Sequence, residues 1–191
     1  MKANRSPQMT ARIKSPTRKM KRLRSTAVHE AGHAVAALAL GVRFKHVTII
    51  PEEAYANAGH VRMQRSRNQS RDYAFNRVVV ALSGVVAAKA AGYRPALYGW
   101  EADRSAAVAW ADTYAGGLGL TSEWIDLGFK TAEVFERRHR DLIHALADAL
   151  LERQTLSEQE CREILRARTM SKAGSGRPPQ IDRRSEEVKA S

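Results

Sequence analysis

The sequence predicts a mainly α protein (α+β) in which a small β-sheet or hairpin accompanies several helices. Three observations predict this class. Long Ala- and Leu-rich stretches recur along the chain, two short segments with strand character follow the first of them, and Gly or Pro separates the stretches. The length of 191 residues fits one domain with terminal tails.

Five helices are expected from the apolar periodicity and its end signals. The first ends at Gly41, and the last begins with Ser157 and Glu160 at the spacing of a capping box. The predicted ranges are 21–40, 72–91, 103–115, 129–152 and 157–168. The β-branched run 47–50, which ends before Pro51, and the alternating run 60–63 predict two strands.

The charge is unevenly distributed, and its position predicts where the domain begins and ends. The net charge is +12, of which residues 1–24 carry +9 and residues 166–191 carry +4, which leaves −1 for the middle. We therefore expect a disordered basic tail at 1–20, a domain at 21–168 and a disordered basic tail at 169–191. Basic tails of this kind favour weak contact with nucleic acid or with an anionic membrane.

The sequence also indicates the cellular compartment in which the protein is expected. No run of about 20 uninterrupted apolar residues predicts a transmembrane segment, and the basic N-terminus lacks the apolar core of a secretory signal. The single cysteine, Cys161, excludes an internal disulfide framework and a zinc site built on several cysteines. A cytoplasmic location is expected.

The most informative motif is H-E-x-x-H at residues 29–33, inside the first predicted helix. His29 and His33 are four residues apart and therefore lie on one helical face, where both imidazoles can bind one Zn²⁺ ion. Glu30 follows the first histidine, so that its carboxylate can act as general base on a water molecule.

A third ligand is needed, and the residues alone leave several candidates open. Ala36 and Ala39 occupy the positions where metzincins have Gly and His, which excludes that class. The remaining candidates are a carboxylate or imidazole from Glu53, His46, His60 or Asp103.

Beyond the motif, the sequence resembles the peptidase domain of FtsH-type zinc metalloproteases, the family linked to AAA ATPases. The closest similarity is in the run 27–35 (A-V-H-E-A-G-H-A-V) and in 47–51 (V-T-I-I-P). Weaker similarity continues to about residue 165, in blocks around Gly84, around Gly99 with Asp103, at 119–121 and at 141–151.

The resemblance implies a helical zincin-type peptidase domain with its small sheet near the zinc site. It implies His29 and His33 as zinc ligands, Asp103 as the third ligand and Glu30 as the catalytic base. It further implies that an extended substrate pairs with an edge strand, which in this sequence corresponds to Gly59, His60, Val61, Arg62 and Met63.

Two departures from the family qualify this prediction. Val85 and Ala88 replace the Arg and Glu of the family's G-R-x-A-E helix, which removes a local ion pair. The sequence also contains no P-loop motif, so we expect the protease part of such a machine without its motor.

We therefore expect a Zn²⁺-dependent metalloendopeptidase that acts on peptides or unfolded proteins. A separate ATPase partner and a homo-oligomer are compatible with this expectation. The alternative is a catalytically silent, zinc-stabilised interaction or adaptor module derived from the same domain. A nucleic-acid binder that uses the basic tails is a third hypothesis, although aromatic residues make up only 6% and no RNA-binding or zinc-finger signature is present.

Overall fold

The structure, a computed structural model, describes residues 17–51, 59–94 and 97–174. Five helices and three short strands make up this part of the chain, which confirms the mainly α class with a small sheet. The helices are α1 Arg18–Ala39, α2 Arg71–Ala90, α3 Leu97–Tyr114, α4 Leu118–Arg153 and α5 Glu158–Gly174. The strands are β1 Phe44–Thr48, β2 His60–Met63 and β3 Thr155–Ser157.

Helix α2 lies at the centre of the fold, packed against α1, α3 and α4. Small residues allow α1 to approach α2 closely. At Gly32 of α1, an added Cβ would lie 2.7 Å from the Cβ of Ala87 and 2.7 Å from the carbonyl oxygen of Ser83. Any side chain at Gly32 would therefore force the two helices apart.

The apolar character of α2 follows from this central position. Among the described residues, it is the one helix that is long and apolar enough to cross a membrane by length and composition. In the fold, 67% of its most apolar window is buried by neighbouring helices. Its hydrophobicity is accounted for by its place in the protein core.

The sheet is antiparallel with the strand order β2-β1-β3, so that β2 lies at one edge of it. Val47 of β1 pairs with Val61 of β2 and with Leu156 of β3. Val47 and Leu156 are fully buried, and Val61 packs against the same apolar core. One face of the sheet therefore covers the helices, and the other face carries mostly polar residues.

The predicted elements differ from the observed ones mainly at their ends. Strand β1 begins at Phe44 instead of Val47, and β2 matches the predicted range 60–63. Helix α3 begins at Leu97, so the part of the predicted loop 92–102 that contains Gly99 is helical. A single glycine costs a helix only about 1 kcal/mol, which tertiary packing can offset.

Two features of the C-terminal half were not predicted. Helix α4 is one helix of 36 residues, so it also includes residues 118–128. Strand β3 has only three residues, which is too short to show the alternation that identifies strands in a sequence.

The capping box is confirmed: the Glu160 carboxylate accepts hydrogen bonds from the Ser157 backbone N–H and hydroxyl, and the Glu160 N–H donates to Ser157 Oγ.

The two helices at the ends of the described region extend into the ranges predicted as tails. Helix α1 begins at Arg18, where the Thr17 hydroxyl accepts a hydrogen bond from the Met20 N–H, and α5 continues to Gly174. The rest of the predicted tails, 1–16 and 175–191, lies outside the described residues. The predicted domain limits stay a prediction.

Cys161 lies on α5 and is completely buried in the main apolar core. Burial raises the pKa of its thiol to about 12, because a thiolate would lose its hydration there. The side chain therefore acts as a small apolar core residue.

A carboxylate joins the sheet to α5. Glu158 is only 7% exposed, and its carboxylate accepts hydrogen bonds from the Phe44 backbone N–H at 3.0 Å and the Arg43 guanidinium at 2.8 Å. Arg162, one turn further along α5, donates to the other carboxylate oxygen at 2.9 Å. Burial acts to raise the pKa of Glu158, but the hydrogen bonds from Arg43 and Phe44 outweigh burial and hold the pKa below its usual value.

We expect Glu158→Gln to lower the free energy of unfolding by about 1–3 kcal/mol at pH 7, because the amide cannot replace the charge-assisted hydrogen bonds. Because the folded-state pKa is depressed, this contribution is present above the unfolded value of 4.5 and is lost as the pH falls further. Urea unfolding at pH 7 and at about pH 3 should show the difference between the variant and the wild type shrinking in acid.

Glu152→Gln is the matched control, since Glu152 is an exposed glutamate near the end of α4. It should leave the free energy of unfolding unchanged at both pH values. An equal effect of Glu158→Gln at both pH values would contradict the assigned role of its charge.

Candidate metal centre

Helix α1 places the two histidines of the H-E-x-x-H motif side by side. His29 and His33 are one turn apart, and their Nε2 atoms are 3.1 Å from each other. The His33 side chain is 6% exposed and that of His29 14%, so both rings are largely shielded from water.

Helix α3 adds a carboxylate to this pair. Asp103 Oδ2 lies 2.9 Å from His29 Nε2 and 3.2 Å from His33 Nε2. Two atoms that each bind a tetrahedral zinc ion at about 2.0–2.1 Å are about 3.3 Å apart, so the three atoms have a spacing close to that of a metal site. Among the described residues, these three form the one group of three or more candidate ligands that could share a metal ion.

The orientation of His33 is fixed by a backbone group of α2. Its Nδ1 lies 2.7 Å from the Val80 carbonyl oxygen, which can only accept a hydrogen bond. Nδ1 therefore carries the proton, and in the neutral ring Nε2 presents a lone pair towards His29 and Asp103. Such a carbonyl partner is what metal-bound histidines commonly have, and the residues present thus fit a metal ion.

The Asp103 carboxylate brings a negative charge to the site, and a positive charge is needed to balance it. Burial acts against a charge on His33, but the nearby Asp103 carboxylate outweighs it and raises the pKa of His33 to about 9. Burial would also raise the pKa of Asp103. The positive charge of the protonated His33 ring and hydrogen bonds from both imidazoles outweigh burial and hold the pKa of Asp103 well below its usual range. A proton on the imidazole or a bound metal ion can supply the positive charge.

Glu30 lies next to this group on α1 and is 5% exposed. Burial raises the pKa of its carboxyl above the usual value, which makes the carboxylate a better proton acceptor. The side chain reaches the start of β2, where a Cβ added to Gly59 would lie 3.0 Å from Glu30 Cγ and 2.7 Å from the Thr48 carbonyl oxygen. Gly59 therefore leaves room for the Glu30 side chain.

Gly84 of α2 likewise leaves space for the His33 side chain. A Cβ added at Gly84 would collide with the imidazole, with Nε2 as its nearest atom. The absence of a side chain at this position therefore allows the His33 ring to lie between α1 and α2.

The structure brings together four of the residues singled out in the sequence, His29, Glu30, His33 and Asp103. Asp103 lies within α3, more than one turn after its first residue, and does not open the helix as the sequence suggested. Of the other candidate ligands, His46 and His60 contact each other across β1 and β2, with ring centroids 5.6 Å apart. Glu53 lies outside the described residues.

Sequence reasoning missed the support that α2 gives to the site. The carbonyl of Val80 has no sequence signal, because its role depends on how two helices pack. Gly84 had a signal, since a glycine in an apolar helix carries a cost that is often explained by close contact. What contacts it could not be deduced from the sequence.

We expect Gly84→Ala to weaken Zn²⁺ binding by about 10–100-fold, because the added methyl group displaces the His33 ring. Competition with a chromophoric chelator measures this affinity. Gly119→Ala is the control, since its added Cβ has no neighbour within 4 Å. Equal affinity of the Gly84 variant and the wild type would show that His33 is not held in the way described.

Comparison with known proteins places this site in a family. The model of the Peptidase M50B-like family matches residues 9–120, a range that includes α1, α2, α3 and all four site residues. A comparison with curated proteins found no match. The matching model is not specific to FtsH-type proteases, so that closer relationship stays a hypothesis. Because the match spans more than half of the chain, the protein belongs to the Peptidase M50B-like family of zinc metallopeptidases.

Proposed function

We propose that the protein is a zinc-dependent metalloendopeptidase that hydrolyses peptide bonds in peptides or unfolded proteins. The observation that carries this proposal is the convergence of His29 Nε2, His33 Nε2 and Asp103 Oδ2, with the buried Glu30 carboxyl beside them. A set of two imidazoles and one carboxylate is typical of catalytic zinc sites, which keep a further position open.

The residues divide the chemistry between them. His29, His33 and Asp103 would hold Zn²⁺, which when bound supplies a Lewis acid that polarises a carbonyl and makes water more acidic. Glu30 takes a proton from the attacking water and passes it to the leaving amine. Its burial suits this role, because a carboxylate with few water neighbours accepts a proton more readily.

The position of β2 supports an extended substrate. Glu30 lies against Gly59, and β2 continues from this point along the edge of the sheet. A peptide paired with this edge would pass close to Glu30, in the mode called β-augmentation. Gly59, His60, Val61, Arg62 and Met63 are therefore the proposed substrate-binding strand.

A closer relationship to FtsH-type proteases is part of the proposal. Its support is Asp103, since the FtsH resemblance chose this residue as the third ligand and its carboxylate lies beside both histidines. No P-loop motif occurs within the 191 residues, and a separate ATPase that supplies unfolded substrate is part of the proposal. A cytoplasmic location, a homo-oligomer and weak contact of the basic ends with anionic surfaces complete the proposal.

A silent zinc-stabilised module is the second candidate, suggested by Val85 and Ala88 in place of a charged pair. Both residues are 1% exposed and lie in the apolar interior around α2. Their side chains therefore contribute to packing, and neither replaces a site residue. The presence of Glu30 favours the enzyme, because a structural zinc site needs no adjacent base.

We expect Glu30→Gln to lower kcat/KM for casein or an unstructured peptide by at least about 100-fold while Zn²⁺ affinity stays unchanged, because the amide cannot accept the proton. Cleavage by the wild type should stop with a zinc chelator and return when Zn²⁺ is added. Bound zinc with no cleavage by the wild type would favour the silent module.

A comparison of two carboxylate variants tests the third ligand. Asp103→Ala should lower Zn²⁺ affinity by at least about 100-fold, since loss of a ligand is expected to exceed the loss of a group that only supports one. Glu53→Gln should leave Zn²⁺ affinity unchanged. The opposite ranking, measured by chelator competition, would assign the third ligand to Glu53.

A further inference from the structure

The two faces of β2 differ in chemistry. Val61 is opposite the buried Val47 and packs against the core, so His60 and Arg62, its neighbours on either side, belong to the other face. On that face, Arg62 is opposite His46 of β1, and the rings of His46 and His60 are in contact. The outward face of the edge strand thus carries two imidazoles and a guanidinium.

Arg62 brings a positive charge to this face. Its side chain is exposed, and the ion pairs found within the described parts of the chain do not include it. The segment 59–71 contains four arginines and no acidic residue. A strand laid along β2 would therefore meet the positive charge of Arg62 at the position opposite this residue.

The distance between Arg62 and Gly59, the residue that lies against the proposed base Glu30, follows from strand geometry. Gly59 lies against Glu30, and Arg62 is three residues further along. At about 3.3 Å per residue, Arg62 is about 10 Å from Gly59 along the strand. The substrate residue beside Arg62 is therefore about three residues from the residue beside Gly59.

We propose that Arg62 makes this site selective for substrates that carry an acidic side chain about three residues from the scissile bond, on the outward face of the paired strand. This inference rests on the proposed peptidase function and names its substrate class. Side chains two residues apart point to the same face, and the long Arg62 side chain can also reach the diagonal neighbours of the opposite position. The preference for acid is therefore strongest opposite Arg62, weaker two residues to either side of that position, and absent at the positions between them. The position facing Val61 instead favours an apolar side chain.

The experiment uses a set of unstructured peptides in which a single Glu or Lys is moved through the five positions on each side of the cleaved bond. For the zinc-loaded protein, kcat/KM should be about three- to fivefold higher with Glu than with Lys at alternate positions on one side. The preference should weaken at high salt, since Arg62 is exposed.

Arg62→Glu should reverse the preference at the position opposite residue 62, because like charges would then face each other. Arg65→Glu is the matched control: Arg65 is also exposed, lies beyond the end of β2, and its replacement changes the net charge equally. Thermal unfolding, monitored by circular dichroism, should show that both variants are folded.

Binding separates this inference from the proposed function. The same peptides are titrated into zinc-loaded Glu30→Gln protein, with fluorescence anisotropy as the measurement. If the wild type cleaves no peptide but the alternating preference for Glu is seen in binding, the proposed enzyme activity fails and the role of Arg62 stands. If no alternation appears in binding or cleavage, or if Arg65→Glu has the same effect as Arg62→Glu, the inference is overturned.

Discussion

The close contact between α1 and α2 is the constraint on which the site depends. Gly32 lets the helix backbones approach, and Gly84 leaves the space that the His33 ring occupies. The same approach brings the Val80 carbonyl within 2.7 Å of His33 Nδ1, which sets the tautomer of the ring. One packing arrangement therefore determines both where the first helix lies and which nitrogen of His33 faces His29 and Asp103.

The third side chain of the site, Asp103, is positioned by the packing of α3 against α2. Asp103 belongs to α3, and its carboxylate lies within 3.2 Å of both imidazoles. The burial of His33 and the charge of Asp103 act in opposite directions on the proton of the ring, and the charge dominates. The protein core thus holds a carboxylate whose charge a cation must balance.

Much of this arrangement was predictable because it depends on local spacing. The face shared by His29 and His33, the position of Glu30 beside them, and the capping box of Ser157 all follow from positions three or four residues apart. Asp103 lies 70 residues from His33, so residue spacing left it as one candidate among several, and only the family resemblance selected it. Strand β3 and the contacts of Gly84 exist through long-range packing, which sequence periodicity does not record.

The burial of Cys161 has a practical consequence. It is the one cysteine in the 191 residues, it is completely enclosed by the core, and its thiol remains protonated at neutral pH. Maleimide reagents need an accessible thiolate, so the wild-type protein offers them very little to modify. A single cysteine introduced on an exposed surface would therefore accept a fluorophore or spin label selectively, without replacement of the native residue.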